Sequence, residues 1–168
     1  IVPTLHPAYC LRDPAYTPVM QTHIRRAWGL ATNQLKLWKW PEFDLEPDAK
    51  AVAALKRILK SKRRVAVDVE TNGVKPLTDT LCVVGLSNVK DTVSVPWNAY
   101  TSKRAGKVKA LWEYEHGNEI YELVKEVLET KQLVFQNGQH DILSINSQTD
   151  IRIPDENYVF DALLAHAV

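Results

Sequence analysis

The 168 residues include 21 Lys+Arg and 20 Asp+Glu, a formal net charge of +1, with 45% hydrophobic and 24% charged residues. That length holds one domain of ordinary size with its own core, and that composition excludes a disordered or fibrous chain. No apolar run approaches a bilayer span, and the opening Ile1-Val2-Pro3-Thr4-Leu5-His6 lacks the basic and apolar regions of a signal peptide, so no membrane partner is expected. Cys10 and Cys82 are too few and too far apart for a disulfide framework or a zinc knuckle; a reducing compartment, the cytoplasm, is the expectation, with each thiol a small buried hydrophobe. The absent initiator Met suggests a fragment. Charge is uneven: residues 1–64 carry 12 Lys+Arg against 5 Asp+Glu, and residues 65–168 carry 9 against 15. A basic front half before an acidic back half suits a polyanion-facing surface beside a carboxylate site, and equally suits solvated charge.

Residues 1–16 are Pro-rich and read as a loop, followed by a helical stretch around Val19 to Ala31. The run Thr4-Leu5-His6-Pro7-Ala8-Tyr9-Cys10-Leu11-Arg12 resembles the T-x-H-P-A-x-x-L-R motif near the C-terminus of uracil-DNA glycosylase superfamily proteins. In that family the residue matching His6 donates a hydrogen bond to the leaving uracil. The resemblance covers about the first 30 residues and implies a C-terminal remnant over 1–31 without the rest of such a site, so His6 reads here as a Pro-flanked loop residue. Residues 32–46 read as a linker in which Trp38, Trp40, Pro41 and Phe43 mix with Lys36 and Lys39. That mixture can stack on single-stranded bases or pack on a neighbouring domain.

Pro47-Asp48 open a helix with Val52, Leu55, Ile58 and Leu59 as its apolar stripe. Lys56, Arg57, Lys60, Lys62, Arg63 and Arg64 follow its outer face, as a solvated surface or a phosphate track. Val65-Ala66-Val67-Asp68-Val69-Glu70 alternates as a strand does and ends at Asn72-Gly73. Residues i and i+2 share a strand face, so Asp68 and Glu70 project side by side, where they repel unless a cation sits between them. A hard divalent metal answers that repulsion; a solvated strand end is the alternative.

Leu81 to Ser87 and Asp91 to Pro96 form two strands joined by the Asn88-Val89-Lys90 turn, and residues 98–116 show no readable element. Gly117 to Thr130 is an amphipathic helix. Gln132 to Gln136 is a short strand running into a helix that Asn137 can cap, with Asp141 four residues on and facing the same way. Asn157 to Asp161 is a strand that again ends on an acid, and a helix begins at Ala162. Three strands thus deliver acids to their C-terminal ends, where open α/β sheets place sites.

In order and spacing, V-A-V-D-V-E-T-N-G, then V-F-Q-N-G-Q-H-D, then Y-V-F-D-A-L-L-A-H-A-V is similar to the proofreading 3′-5′ exonuclease domain of family A DNA polymerases. The resemblance covers residues 47–168 and implies an α/β ribonuclease H-like fold, a mixed central sheet flanked by helices, C-terminally incomplete. It implies Asp68, Glu70 and Asp141 as catalytic, metal-coordinating carboxylates for Mg²⁺ or Mn²⁺ in a two-metal site that hydrolyses the 3′-terminal phosphodiester of DNA. Thr71, Asn72, Val74 and Asn137 become substrate-contacting positions, Val74 standing where relatives often place a Leu. Asp161 becomes a supporting acid behind the cluster, while His140 and His166 are read as packing. A last Y-x-x-x-D or H-x-x-x-D motif, which supplies the family's fourth acid, has no match in these residues, so weak or no turnover is expected of the chain by itself. The order of the two resemblances is like that of replication proteins of some bacteriophages, which implies a bacterial or phage-infected cell, a single-stranded DNA 3′ end as partner and a polymerase domain in a longer parent. An RNA-directed exonuclease and a non-catalytic single-strand-binding or spacer module remain the alternatives.

Overall fold

Val65, Val67 and Val69 are buried on one face of a strand, β2 (Val65–Thr71), while Ala66, Asp68 and Glu70 are exposed on the other, as their alternation requires. The structure, a computed structural model, describes residues 4–35, 42–44, 46–102 and 106–166. Its chain divides into two compact units, residues 1–40 and 41–168. Residues 36–41 and 45 of the 32–46 linker, Lys36, Trp38, Lys39, Trp40 and Pro41 among them, and the side chains of Phe43 and His166 lie outside the described residues.

The first unit departs from its loop expectation. His6 accepts the Ala8 N–H at 3.2 Å and Pro7 occupies the first turn, which starts a short helix, α1 (Pro7–Arg12). Asp13 repeats the device on Ala15 at 3.2 Å, starting a 3-10 turn that leads into α2 (Thr17–Ala31). Proline here is a helix starter rather than a breaker.

In the second unit α3 (Ala49–Lys60) is capped by Asp48, whose carboxylate accepts from Lys50 at 2.8 Å and Ala51 at 3.2 Å; the helix begins one residue past the acid rather than at Pro47. A six-stranded sheet follows in the order β1 (Glu42–Asp44), β4 (Asp91–Pro96), β3 (Leu81–Ser87), β2, β7 (Leu133–Phe135), β8 (Tyr158–Asp161). Strands β2, β3 and β4 are antiparallel in sequence, and β7 and β8 run parallel to β2. This is an α/β ribonuclease H-like arrangement, a mixed central sheet with flanking helices. The β3–β4 hairpin turns as expected, Asn88 accepting from Lys90 at 3.0 Å and Asp91 at 2.9 Å. Residues 98–116 contain a second hairpin, β5 (Tyr100–Ser102) with β6 (Gly106–Val108), too short to show in the sequence pattern.

Register sorts the sheet into rows that run across its strands. Val67, Leu86 and Val93 lie opposite one another, as do Val69, Val84 and Val95, and all six are buried. They share one core with Leu55 and Ile58 of α3 and with Ile120, Val124, Val127 and Leu128 of α4 (Gly117–Thr130). Between those rows lie Asp68, Gly85 and Ser94, and past the second lie Glu70, Val83 and Pro96, on the opposite face. Burying the valine face is what turns the acids outward.

Candidate active site

Asp68 and Glu70 stand one above the other on the open face, near the C-terminal end of β2. Opposite Asp68 is Gly85, which contributes no side chain and leaves the flank of that acid clear.

Asp141 joins them through a gap in the ladder. β2 pairs with β7 only at Val65 and Ala66, after which β7 stays paired with β8 through Phe135 and the chain turns into α5 (Gly138–Gln148). The N–H groups of odd β2 residues point toward β7: Val65 donates to the Gln132 carbonyl at 2.9 Å. Val69 would therefore present an unpaired N–H, and Asp141, from the first turn of α5, accepts it at 3.2 Å. The contact joins residues 72 apart and brings Asp141 to Asp68. Burial pushes the Asp141 carboxyl up to about 6; the Val69 N–H opposes that, and the Asp68 charge adds to it. A buried carboxylate beside a second acid is the environment that a cation relieves.

Asp161 does a different job. At the end of β8 its carboxylate accepts from the N–H groups of Asn137 at 3.0 Å and Gly138 at 2.8 Å, which begin α5, and of Leu163 at 2.8 Å, which begins α6 (Ala162–His166). The Tyr158 hydroxyl adds a fourth bond at 2.5 Å. That hydroxyl and the backbone donors hold the Asp161 carboxyl well below the usual carboxylate range, while burial first and Asp161 second push Tyr158 up to about 12. The expectation that Asn137 caps α5 is corrected here. Asn137 occupies the cap position with a left-handed backbone, φ 61°, and its side chain makes no capping bond; the carboxylate of Asp161, on another strand, does the capping. Asn suits the left-handed turn, and Gly138 after it admits no side chain, because a Cβ there would lie 2.6 Å from the Phe135 side chain.

Beyond β2 the chain makes a loop over residues 72–80. Thr71 donates to the Gly73 carbonyl at 2.5 Å, and the Asn72 side chain accepts the Thr80 N–H at 2.7 Å, so both side chains are engaged in shaping the loop. Val74 is 85% exposed and Leu77 65%, two apolar side chains presented to solvent just past the acids. Two polar residues of α5 clamp this loop and went unnoticed in the sequence. Gln148 accepts from Leu81 at 2.8 Å and donates to the Asp79 carbonyl at 2.9 Å, and Ser147 donates to the Pro76 carbonyl at 3.1 Å. Nothing in their spacing marks them, since their partners lie 67–71 residues away.

Of the expected ligands, the structure brings Asp68 and Asp141 together and leaves Glu70 apart. The charge of Glu70 acts on Cys82 and Tyr100, on the β3 side, where burial first and Glu70 after it push the Cys82 thiol up. Among the described residues no three His, Cys, Asp or Glu side chains converge as a closed metal site would. The donors are all carboxylate oxygens, which fits Mg²⁺ or Mn²⁺. His140 is half-buried beside Asp141 and lowers its carboxyl slightly, against the effect of burial.

No family model matches the chain, and no curated protein matches it. Among solved structures it is similar to Escherichia coli RNase D, described as an exoribonuclease involved in structured RNA processing, at 10% identity and a TM-score of 0.46 over 71% of this chain and 27% of that one. It is also similar to the catalytic core of RRP6 from Trypanosoma brucei, at 12% and 0.46 over 71% and 29%. A third is Brucella melitensis NrnC with bound Mg²⁺, at 16% and 0.39 over 67% and 45%. The chain spans less than half the length of each. Among the described residues no helix is long and apolar enough to cross a membrane.

Proposed function

We propose that residues 47–168 form a metal-dependent 3′-5′ exonuclease domain that takes the 3′ end of single-stranded DNA. One observation carries the reading: Asp141 caps the free N–H of Val69, so an acid from α5 meets Asp68 at the C-terminal end of the strand that also presents Glu70. Asp68 and Asp141 would hold a divalent cation, with Glu70 as the third carboxylate. A metal held there would supply activation of the attacking water and stabilisation of the departing 3′ oxygen. The residues of this chain do the rest. The Val69 N–H orients Asp141, Gly85 leaves Asp68 accessible, and Val74 and Leu77 offer apolar surface to a terminal base. The finer reading, a proofreading domain of the family A polymerase kind with DNA as substrate, is supported by the spacing of V-A-V-D-V-E-T-N-G and V-F-Q-N-G-Q-H-D.

The test combines Mn²⁺ titration with digestion of a 3′-labelled single-stranded DNA oligonucleotide, on the chain itself and on Asp68→Ala/Glu70→Ala and Asp141→Asn. Saturable Mn²⁺ binding that both variants weaken by tenfold or more, with any shortening of the oligonucleotide dependent on metal, is the expected result. Oligonucleotide binding that ignores both metal and the acids would replace the enzyme by a single-strand-binding module, the reading favoured by the separation of Glu70 from the other two carboxylates.

A further inference from the structure

On the sheet face that carries the acids, the surface beside Glu70 dips into a cavity of about 470 Å³. Its floor continues the row that starts at Glu70: Val83 lies opposite Glu70 and Pro96 opposite Val83, each step about 5 Å across the sheet. Two tyrosines wall it, Tyr100 from β5 and Tyr114 from the turn before α4, and Val108 of β6 lines it too. The hairpin that the sequence left unread is thus what builds the wall. Burial raises the Tyr100 phenol, and Cys82, Tyr114 and Glu70 raise it further, which places both rings and the acid in one neighbourhood. The volume is that of a small-molecule site, and the lining is mostly apolar with a few polar groups, the Ser94 hydroxyl, the two phenols and the Glu46 carboxylate. Among the described residues no Lys or Arg lines it.

A flat, neutral ring with donors on its edge suits such a cavity. We infer that this cavity is a nucleobase subsite, in which Tyr100 and Tyr114 hold the base of the nucleotide next to the one whose phosphodiester lies over Asp68, Glu70 and Asp141. The inference rests on the nuclease reading of those acids. A strand crossing the sheet from β2 toward β4 then meets the acids first and the tyrosine cavity beyond them. Stacking is indifferent to base identity, because every base has a π-face, which suits an enzyme that must accept any 3′ end.

The test is equilibrium binding of a dye-labelled single-stranded DNA tetranucleotide in Ca²⁺, compared with four versions that each carry one abasic residue. One abasic position is expected to lower affinity by roughly 5- to 150-fold, the range of one base–aromatic stack. Tyr100→Ala and Tyr114→Ala should show that same loss with the intact tetranucleotide and no further loss at that abasic position, while Tyr→Phe at either site keeps the affinity. The abasic series needs no altered protein, so a misfolded variant does not decide the outcome. Tight binding with no sensitive position, or with both Ala variants equal to the parent, overturns the subsite and leaves the nuclease reading standing. No binding of any tetranucleotide overturns both.

Discussion

Asp141 is held between two demands, capping a backbone N–H in the protein interior and carrying a charge beside Asp68. Its carboxyl titrates at about 6 in the folded chain against 3.8 for an unperturbed aspartate, so between those values the folded state keeps a proton that the unfolded state has lost. Stability from this group is therefore full below pH 4 and falls as pH rises through 6. We expect the metal-free chain to show that fall in a thermal series from pH 4 to 7 and Asp141→Asn to lack it. A divalent cation reverses the sign, because it binds the ionised form that burial penalises. Mn²⁺ at 100 times its dissociation constant should add about 2.7 kcal/mol at pH 7 and much less at pH 5. A melting temperature indifferent to Mn²⁺ at both pH values would remove the metal from the account of this carboxylate.

At the scale of elements, the start of α5 is set by β8. Asp161 ties the first N–H groups of α5 and those of α6 to one carboxylate, and the Tyr158 hydroxyl fixes that carboxylate from its own strand. A depressed carboxyl contributes stability that is present above the unperturbed value and lost as pH falls through the folded one. Asp161→Asn keeps one acceptor but sets an amide NH₂ against backbone N–H donors. It should lower the melting temperature by several degrees near neutral pH, shrink the difference between neutral and acid pH, and weaken Mn²⁺ binding by loosening the turn that carries Asp141. An unchanged acid profile would show that the carboxylate is not what closes this junction. The contrast between Asn137 and Asp161 also explains what the sequence could and could not show. Alternation made β2 readable, the 3.6-residue period made α3 and α4 readable, and together they placed Asp68, Glu70 and Asp141 at strand ends. The capping of α5 was misread because Asn137 is the local candidate while the acting acid lies 23 residues away. For Glu70 the sequence reaches only as far as the face from which its side chain leaves the strand, not the point where its carboxylate arrives.

Across the second unit the charges are laid out by the direction of β2. Lys60, Lys62, Arg63 and Arg64 are exposed at the N-terminal end of that strand, and the acids stand near its C-terminal end. At about 3.3 Å per residue the two sets are roughly 13–20 Å apart, beyond the ~8 Å screening length of physiological salt. The basic run therefore neither neutralises the acids nor touches a nucleotide bound to them. Two of its neighbours are already engaged, Lys56 with Glu119 and Arg57 with Asp91, each at 2.7 Å, which leaves those four as the arm of the run that can meet a polyanion. A phosphate track there can act only on nucleic acid long enough to bridge that distance. Lys60→Glu/Lys62→Glu/Arg63→Glu should therefore leave dinucleotide affinity and Mn²⁺ affinity unchanged and weaken single strands of ten or more nucleotides. The salt dependence of the longer strands should drop by about 0.7 in logarithmic slope for each phosphate that the variant no longer neutralises. Equal affinity for long strands in the variant and the parent would make the run a solvated face, and equal losses for long and short strands would trace the effect to the fold.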